Sequence, residues 1–536
     1  MSTTTKKATI IWADGEESRD VEFDGVNEES LWKPVGEIIG QTEFEDLPML
    51  VSVITEDNAQ ADILITEPDD QPGKKVFQLK ENNIKLKKSR YSIIMLRHVD
   101  PETNRHSFYD FVPNNMGPFT IDIGARFGKI GEKGLNLIED GEVLRRPFPP
   151  VLFWTRVYAK LAEGYTDETE YLLDADDDPV EQLFKTEVPE SDESEDAIKL
   201  YEELMEGAKD ALAEFNVDFL SSKSPYSKVQ ISGCKKVLAE LSHVPDMDVA
   251  ALSDADGAKA IIDAANDEIQ HLIKIANPTF SKGVTVKSFL LGYEKSVEDA
   301  KKAVYDAVDD WEARINAMEA VSTTSKPSGK VVSPFGNVDV RRATEDEFKH
   351  YQDLIRKEAP SEVDQLLEVY MLNPHDRRKQ YEEALEKATN KTERELFHGS
   401  ATANMISLIS SGGPTINVRM ACGRAYGDGS YWASCFIKSR NYTDYLGSRW
   451  AHGTSGVAYM LVGRVHYGNP YFPSSVNGNQ AKRDVEAGGY DICHARTANS
   501  GFMWDEYITY DEAHSYVCAI LKFGDVSPDD DEDDDE

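Results

Sequence analysis

Three clusters near the C-terminal end of this 536-residue chain hold residue types that do chemistry. The first is His398-Gly399-Ser400, inside Leu396-Phe-His-Gly-Ser400. The second runs from Tyr431, in Gly429-Ser-Tyr-Trp-Ala433, to Tyr442, in Lys438-Ser-Arg-Asn-Tyr442, eleven residues on, with Lys438 and Ser439 between. The third is Glu506 in Asp505-Glu-Tyr-Ile-Thr-Tyr-Asp511, where strand alternation projects the carboxylate from one face. A glycine between His and Ser lets a ligand reach the backbone, because only a residue without Cβ allows so close an approach. Tyrosine faces suit π-stacking on a flat heteroaromatic ring. Taken singly, each residue has a plainer explanation. A lone histidine is usually a surface or core residue, and tyrosines and serines in a β-rich segment reflect packing and strand propensity. Those explanations cover each residue but not the ordered set.

Together with Ile520-Leu-Lys-Phe523, and in this order, the strings resemble the catalytic domain of the poly(ADP-ribose) polymerases. The resemblance implies an NAD-dependent ADP-ribosyltransferase that releases nicotinamide and moves ADP-ribose to protein acceptors, itself included, or to nucleic acid. NAD is the donor substrate and no metal is implied. Cleaving that bond leaves a sugar with oxocarbenium character, the charge type met in glycoside hydrolysis. The leaving group is already cationic and needs no acid, so the enzyme must hold NAD rigidly, stabilise positive charge and activate the acceptor.

By resemblance, the catalytic set is His398, Tyr431 and Glu506. Glu506 hydrogen-bonds the 2′-hydroxyl of the nicotinamide ribose and assists the incoming hydroxyl. His398 donates to the adenine-side ribose, and the Gly399 backbone reads the carboxamide. Tyr431 and Tyr442 wall the nicotinamide ring, Ser439 binds its amide, and Ser400 belongs to the same donor site. Arg419, in Ile416-Asn-Val-Arg-Met-Ala421, falls where the family's Arg contacts the adenosine side, and Asn404 also matches. Gly423–Gly429, with Arg424 and Tyr426, would be the loop over the donor. Lys438 either steers the acceptor or sits on the surface. Ala401 stands where many relatives carry Arg, and Trp432 where they carry Phe. The segment Tyr467–Ser500 matches the family's acceptor loop poorly. Cys422 and Cys435 lie close by without a base in sequence and read as packing residues.

The complete His/Tyr/Glu set favours a polymerase. Two other readings stay open: a mono-ADP-ribosyltransferase, and a catalytically silent DNA-end or NAD-binding scaffold.

The elements that must position these residues follow from pattern. Residues 330–523 read as an α+β domain on antiparallel sheets. Helical spacing runs over Glu345–Glu358 and Gln380–Lys391, and strands over Val363–Leu372, Val457–His466 and Ser515–Phe523. Ahead of it, residues 196–322 are expected to form a helical domain. Ile198, Tyr201, Met205, Ala208 and Leu212 recur at three and four, as do Val304, Val308, Trp311, Ile315 and Met318. Related enzymes carry a regulatory helical domain in this position, so a regulatory role is implied by place alone. Residues 78–167 resemble a WGR domain, a small sheet-plus-helix module that contacts broken DNA, through Phe119–Gly134 and Phe153–Asp167. At the signature, Phe127-Gly128-Lys129 replaces Trp-Gly-Arg, losing an indole N–H and a bidentate fork. The expected fold class is thus multidomain α+β: residues 1–77 of unassigned role, the WGR-like module, an acidic linker over 168–195, the helical domain, the catalytic domain and an acidic tail over 524–536.

Composition narrows the partners. With 97 acidic and 58 basic residues the formal charge is −39, so nucleic acid can be met only at a local basic patch. Lys74, Lys75, Lys80, Lys85, Lys87, Lys88 and Arg90 form one beside the WGR-like segment. Lys85, Lys87, Lys88 and Lys129 are the candidate contacts to DNA ends or nicks. The five cysteines form no Cys-x-x-Cys pair, so they suggest neither a disulfide framework nor a zinc site. No apolar leader and no long apolar stretch occurs, which leads us to expect a soluble intracellular protein without membrane contact. It would be nuclear in a nucleated cell and cytoplasmic in a bacterium.

Overall fold

The computed structural model describes residues 5–12, 18–42, 49–66, 76–87, 93–115, 121–129, 135–136, 138–139, 142–143, 150–172, 195–217, 226–323, 335–416, 424–451 and 453–525. Lys74, Lys75, Lys88, Arg90, Arg419 and Cys422, most of the acidic linker and nearly all of the acidic tail lie outside them. The chain divides into two compact units. One holds Met1–Leu183 with two short later pieces, and the other holds most of the remainder.

In the first unit, alternating apolar residues build an antiparallel sheet in the order Ser18–Phe23, Lys6–Trp12, Leu50–Thr55, Gln60–Thr66, Val76–Asn82. Along Leu50–Thr55, Val51, Val53 and Thr55 point inward and their neighbours are half-exposed, the period-two signature of a one-sided sheet. The strand Val76–Asn82 straddles residue 77, so the N-terminal sheet runs into the segment that resembles a WGR module. A second sheet orders Thr166–Asp167, Ile94–Asp100, Arg105–Asn115, Ile121–Lys129 and Leu135–Asn136. Its first hairpin turns at Asn104 with φ 52°, a conformation asparagine tolerates.

The helices Glu28–Gln41 and Pro150–Ala162 pack closely because Gly36 and Gly40 carry no side chain. A Cβ there would lie 2.4 Å from Trp154 Cβ and 2.6 Å from the Thr155 carbonyl. One apolar core, including Trp32, Val53, Phe111 and Phe153, joins both sheets and both helices. Phe127, Gly128 and Lys129 lie on the strand Ile121–Lys129 opposite Tyr109, Phe108 and Ser107. Lys80, Lys85 and Lys87 are exposed.

The second unit begins with helices. On Glu195–Ala211 the buried residues are Ala197, Leu200, Leu204, Met205 and Ala208, and Leu212 just beyond is buried too. Ile198 and Tyr201 of the expected stripe are half-buried at its margin, where Tyr201 donates to the Ala320 carbonyl at 3.3 Å. On Val297–Thr323, Val304, Val308, Trp311, Ile315 and Met318 are all buried, and Trp311 lies against Phe215 and Phe289.

Two sheets follow. The larger orders Val338–Arg342, Leu366–Pro374, Ser515–Gly524, Val457–His466 and Glu393–Gly399, every pair antiparallel. The smaller orders Ser430–Trp432, Glu506–Thr509, Ile492–Ala495 and Pro470–Tyr471, the last pair parallel. A bridge between Phe397 and Ala433 joins them, with N–H···O distances of 2.7 and 2.9 Å. Val363 sits in the 3₁₀ turn Pro360–Gln365 and not on a strand, since proline opens a helical turn readily and cannot donate to a ladder. The span Tyr467–Ser500 is well structured, holding the helix Asn479–Gly488 and the strand Ile492–Ala495.

Candidate active site

The bridge between the sheets sets the geometry. His398 is the next residue after Phe397 on Glu393–Gly399, and Tyr431 lies on the facing Ser430–Trp432. The His398 Nδ1–H donates to the Tyr431 carbonyl at 2.8 Å. A carbonyl can only accept, so this fixes the tautomer and leaves Nε2 as the lone-pair nitrogen. That Nε2 is buried with no hydrogen-bond partner, and burial pulls the His398 pKa below its ordinary 6.5. The neutral ring presents an acceptor, so a ribose hydroxyl would donate to His398, reversing the direction expected from resemblance.

Glu506 opens the strand Glu506–Thr509, between Ser430–Trp432 on one side and Ile492–Ala495 on the other. It is 7% exposed. Lys438 Nζ meets its Oε1 at 2.7 Å and donates to the Asp505 carbonyl at 3.2 Å. Its Oε2 is buried and unpartnered. Lys438 is therefore a largely buried cation lining the cavity and not a surface one. Its own pKa is lowered, chiefly by burial, with the Glu506 carboxylate pulling the other way. Behind this pair, His494 Nε2 lies 2.9 Å from Asp505 Oδ2 while its ring stacks on Tyr507.

The walls come from the second tyrosine segment. Tyr431 donates its hydroxyl to the Gly427 carbonyl at 2.8 Å and accepts from the Tyr426 N–H at 3.0 Å, which ties the glycine-rich turn to the strand. Ser439 is buried on the short helix Phe436–Arg440, and Tyr442 lies beside Trp450 with ring planes 30° apart. Gly399 has a second reason to lack a side chain: a Cβ there would sit 1.8 Å from the Ser439 carbonyl oxygen. Ser400 Oγ accepts from Asn404 Nδ2 at 2.9 Å, and Asn404 Oδ1 accepts in turn from Asn316 on the helix Val297–Thr323. Trp432 is buried against Gly463, where a Cβ would come 2.3 Å from the indole ring. The larger ring at this position is housed by a missing side chain on the larger sheet.

His398, Gly399, Ser400, Tyr431, Lys438, Ser439, Tyr442 and Glu506 all line one cavity of about 330 Å³. Sequence reasoning missed the other wall. Asp306, Asp309, Asp310, Glu312 and Ala313 of the helix Val297–Thr323 line the same cavity. Burial raises the pKa of Asp310 and lifts Glu312 to about 8, with Asp309 adding to the latter. The signal was present in Asp306-Ala-Val-Asp-Asp-Trp-Glu312, but an acidic helix face opposite an apolar stripe is ordinarily solvent-facing.

Residues 345–523, a third of the chain, match the family model of the poly(ADP-ribose) polymerase catalytic domain. A poly(ADP-ribose) polymerase-like protein, 100L, of Invertebrate iridescent virus 6 is 22% identical over 187 residues, which is 32% of this chain and 97% of that protein. Among the described residues, no helix is long and apolar enough to cross a membrane.

Proposed function

We propose that this ADP-ribosyltransferase, which carries a poly(ADP-ribose) polymerase-type catalytic domain over residues 345–523, builds chains of ADP-ribose on protein acceptors and is restrained by its own helical segment. The observation that carries the reading is a pair of buried atoms without partners, His398 Nε2 and Glu506 Oε2, on residues that line one cavity. Unpaired buried acceptors cost about 1–3 kcal/mol each, a cost that persists where a ligand's donors relieve it. The two ribose hydroxyl sets of NAD are such donors.

The roles follow. Nicotinamide stacks between Tyr431 and Tyr442, with its amide on Ser439 and the Gly399 backbone. His398 Nε2 accepts from the adenine-side ribose. Glu506 Oε2 accepts from the 2′-hydroxyl of the nicotinamide ribose, which concentrates negative charge beside the anomeric carbon as the bond to nicotinamide breaks. Lys438 holds Oε1 and so fixes where that charge sits. When an acceptor hydroxyl attacks, the same carboxylate is the nearest base for its proton. When the acceptor is a ribose hydroxyl of a previous unit, the product lengthens.

The helical wall adds a restraint. NAD carries an anionic diphosphate, and Asp306, Asp309 and Asp310 face the cavity that would hold it. Like charges there oppose binding, partly offset by Lys302, 3.1 Å from Asp306, and Arg314, 4.0 Å from Asp310. Displacing or neutralising that face would favour donor entry. DNA ends, met by the WGR-like segment through Lys85, Lys87, Lys88 and Lys129, are the activator that the arrangement of modules suggests. Such a protein would work in the nucleus of a nucleated cell or the cytoplasm of a bacterium.

The test is product length. Purified protein with labelled NAD, run on a denaturing gel with and without nicked DNA, should give ladders that lengthen with DNA. Single-unit products under every condition would support the mono-transferring reading in its place.

A further inference from the structure

Beyond the NAD cleft, the catalytic domain holds a second constellation with no part in the mechanism above. His466 ends the strand Val457–His466, Asp491 immediately precedes Ile492–Ala495, and His514 closes the turn before Ser515–Gly524. Register explains how they meet: Val465 pairs with Ser515, which sets His466 beside His514, and their rings lie 5.2 Å apart, edge to face. One ligand atom from each of the three residues lies within 4.8 Å of the other two.

The hydrogen bonds around this trio decide what it can do. The His466 Nε2–H donates to the Asn390 carbonyl at 2.7 Å, which makes Nδ1 the lone-pair nitrogen. His466 is 2% exposed, and that Nδ1 has no hydrogen-bond partner, with Asp491 Oδ1 3.9 Å away. His514 likewise gives its Nδ1–H to a main-chain carbonyl, that of Asp491, at 2.9 Å. Asp491 is itself fixed: its Oδ2 accepts the Asn469 N–H at 2.7 Å, in a niche that Gly468 leaves open. A Cβ on Gly468 would lie 2.2 Å from that oxygen. Each imidazole thus spends its N–H on a backbone carbonyl, the arrangement that orients metal-ligating histidines. A plain ion pair would instead bring the ring N–H against the carboxylate.

We propose that His466, Asp491 and His514 bind a divalent transition-metal ion of the zinc class, with water as a fourth ligand. Two neutral imidazoles and one carboxylate suit such an ion at bonds of ~2.0–2.2 Å. Tetrahedral ligands then stand roughly 3.4 Å apart, so the 3.9 Å between His466 and Asp491 closes by a small side-chain shift. The ion would staple three chain segments. Asp491 immediately precedes the strand whose last residue, Ala495, pairs with Glu506. The metal therefore steadies the register that presents the catalytic carboxylate, without touching NAD.

The experiment uses the full chain stripped with a chelator and then given Zn²⁺ or Co²⁺, with bound metal measured by elemental analysis and Tm by calorimetry. The wild type should take up about one equivalent and gain Tm. His514→Gln and Asp491→Asn should take up none and show no metal-dependent gain. Glu268→Gln, in a second acidic grouping with Glu240 and His271, should behave as wild type. Should a variant fail to fold, Co²⁺-loaded wild type decides alone, by paramagnetically shifted proton signals from two imidazoles. No uptake by wild type, uptake lost in Glu268→Gln but kept in His514→Gln, or cobalt without imidazole signals would each overturn the assignment. These readouts do not involve NAD, so they stand or fall apart from the ADP-ribosylation reading.

Discussion

At the scale of single residues, the site is organised by what is left unpaired. His398 commits one nitrogen to the Tyr431 carbonyl and Glu506 one oxygen to Lys438, which aims the remaining lone pair of each. Because burial depresses the His398 pKa, the ring stays neutral as pH falls through 6.5 and charges only in more acidic solution. Protonated, Nε2 could no longer accept from a ribose hydroxyl. The acid limb of kcat/KM for NAD, which reports the free enzyme, is therefore expected below the ordinary histidine range. An acid limb centred at 6.5 or above that vanishes in His398→Gln would show the ring to be solvated. His398, Tyr431 and Glu506, which meet at one cavity, were singled out in sequence because ordered motifs carry their spacing with them, whereas sequence left Lys438 open between the site and the surface. The direction of the His398 hydrogen bond was not, because a tautomer is set by the partner that the fold supplies. Arg419 lies outside the described residues and stays a proposal.

At the scale of elements, glycines set how closely strands and helices approach the site. Gly463 houses Trp432, the residue that departs from the family's Phe. The expected cost of Gly463→Ala is ~1–3 kcal/mol from overpacking against the indole. Phenylalanine lacks the atoms that would clash, so Trp432→Phe should recover most of that loss. A double-mutant cycle by chemical denaturation would read the coupling, and additive effects would mean the contact is not made. The strands Val457–His466 and Ser515–Gly524 were legible to within a residue, since their apolar runs are long and bounded. Val363 was not, because proline chemistry at 360 overrode an apolar run. The stripe on Glu195–Ala211 was legible in part: Met205, Ala208 and Leu212 are buried, while Ile198 and Tyr201 lie at the margin because packing centres the first turns on Ala197 and Leu200.

At the scale of the whole molecule, charge is the theme. A chain of formal charge −39 brings an acidic helix face to the cleft proposed to take an anionic substrate. Replacing Asp306 and Asp309 together by Asn should lower the KM for NAD about fivefold, roughly 1 kcal/mol of relieved repulsion, with little change in kcat. An unchanged KM would remove the restraint from the account. The proposed activation has its own electrostatic signature. Affinity for DNA ends should fall with salt at a log–log slope of ~0.9 per contacted phosphate, and stimulation should be lost as salt rises. Reversing Lys85, Lys87, Lys88 and Lys129 to Glu should abolish stimulation and spare basal turnover; a parental DNA response in that variant would show the patch to be only a solvated face. The acidic helix was present in the sequence, but nothing local told its face from an ordinary solvated one, because the rest of the cavity it borders is made by segments between His398 and Glu506, far along the chain.

The central claim, that this cleft splits NAD through Glu506, is tested most directly by nicotinamide release. Wild type and Glu506→Gln, both purified as the full chain, would be incubated with NAD labelled in the nicotinamide ring, and free nicotinamide would be followed over time. Wild type should release nicotinamide steadily. In the variant, release should be slowed ~10²–10³-fold, the typical loss for a preorganised charge-stabilising group, with NAD affinity retained. No release by wild type, or equal release by both proteins, would contradict that claim.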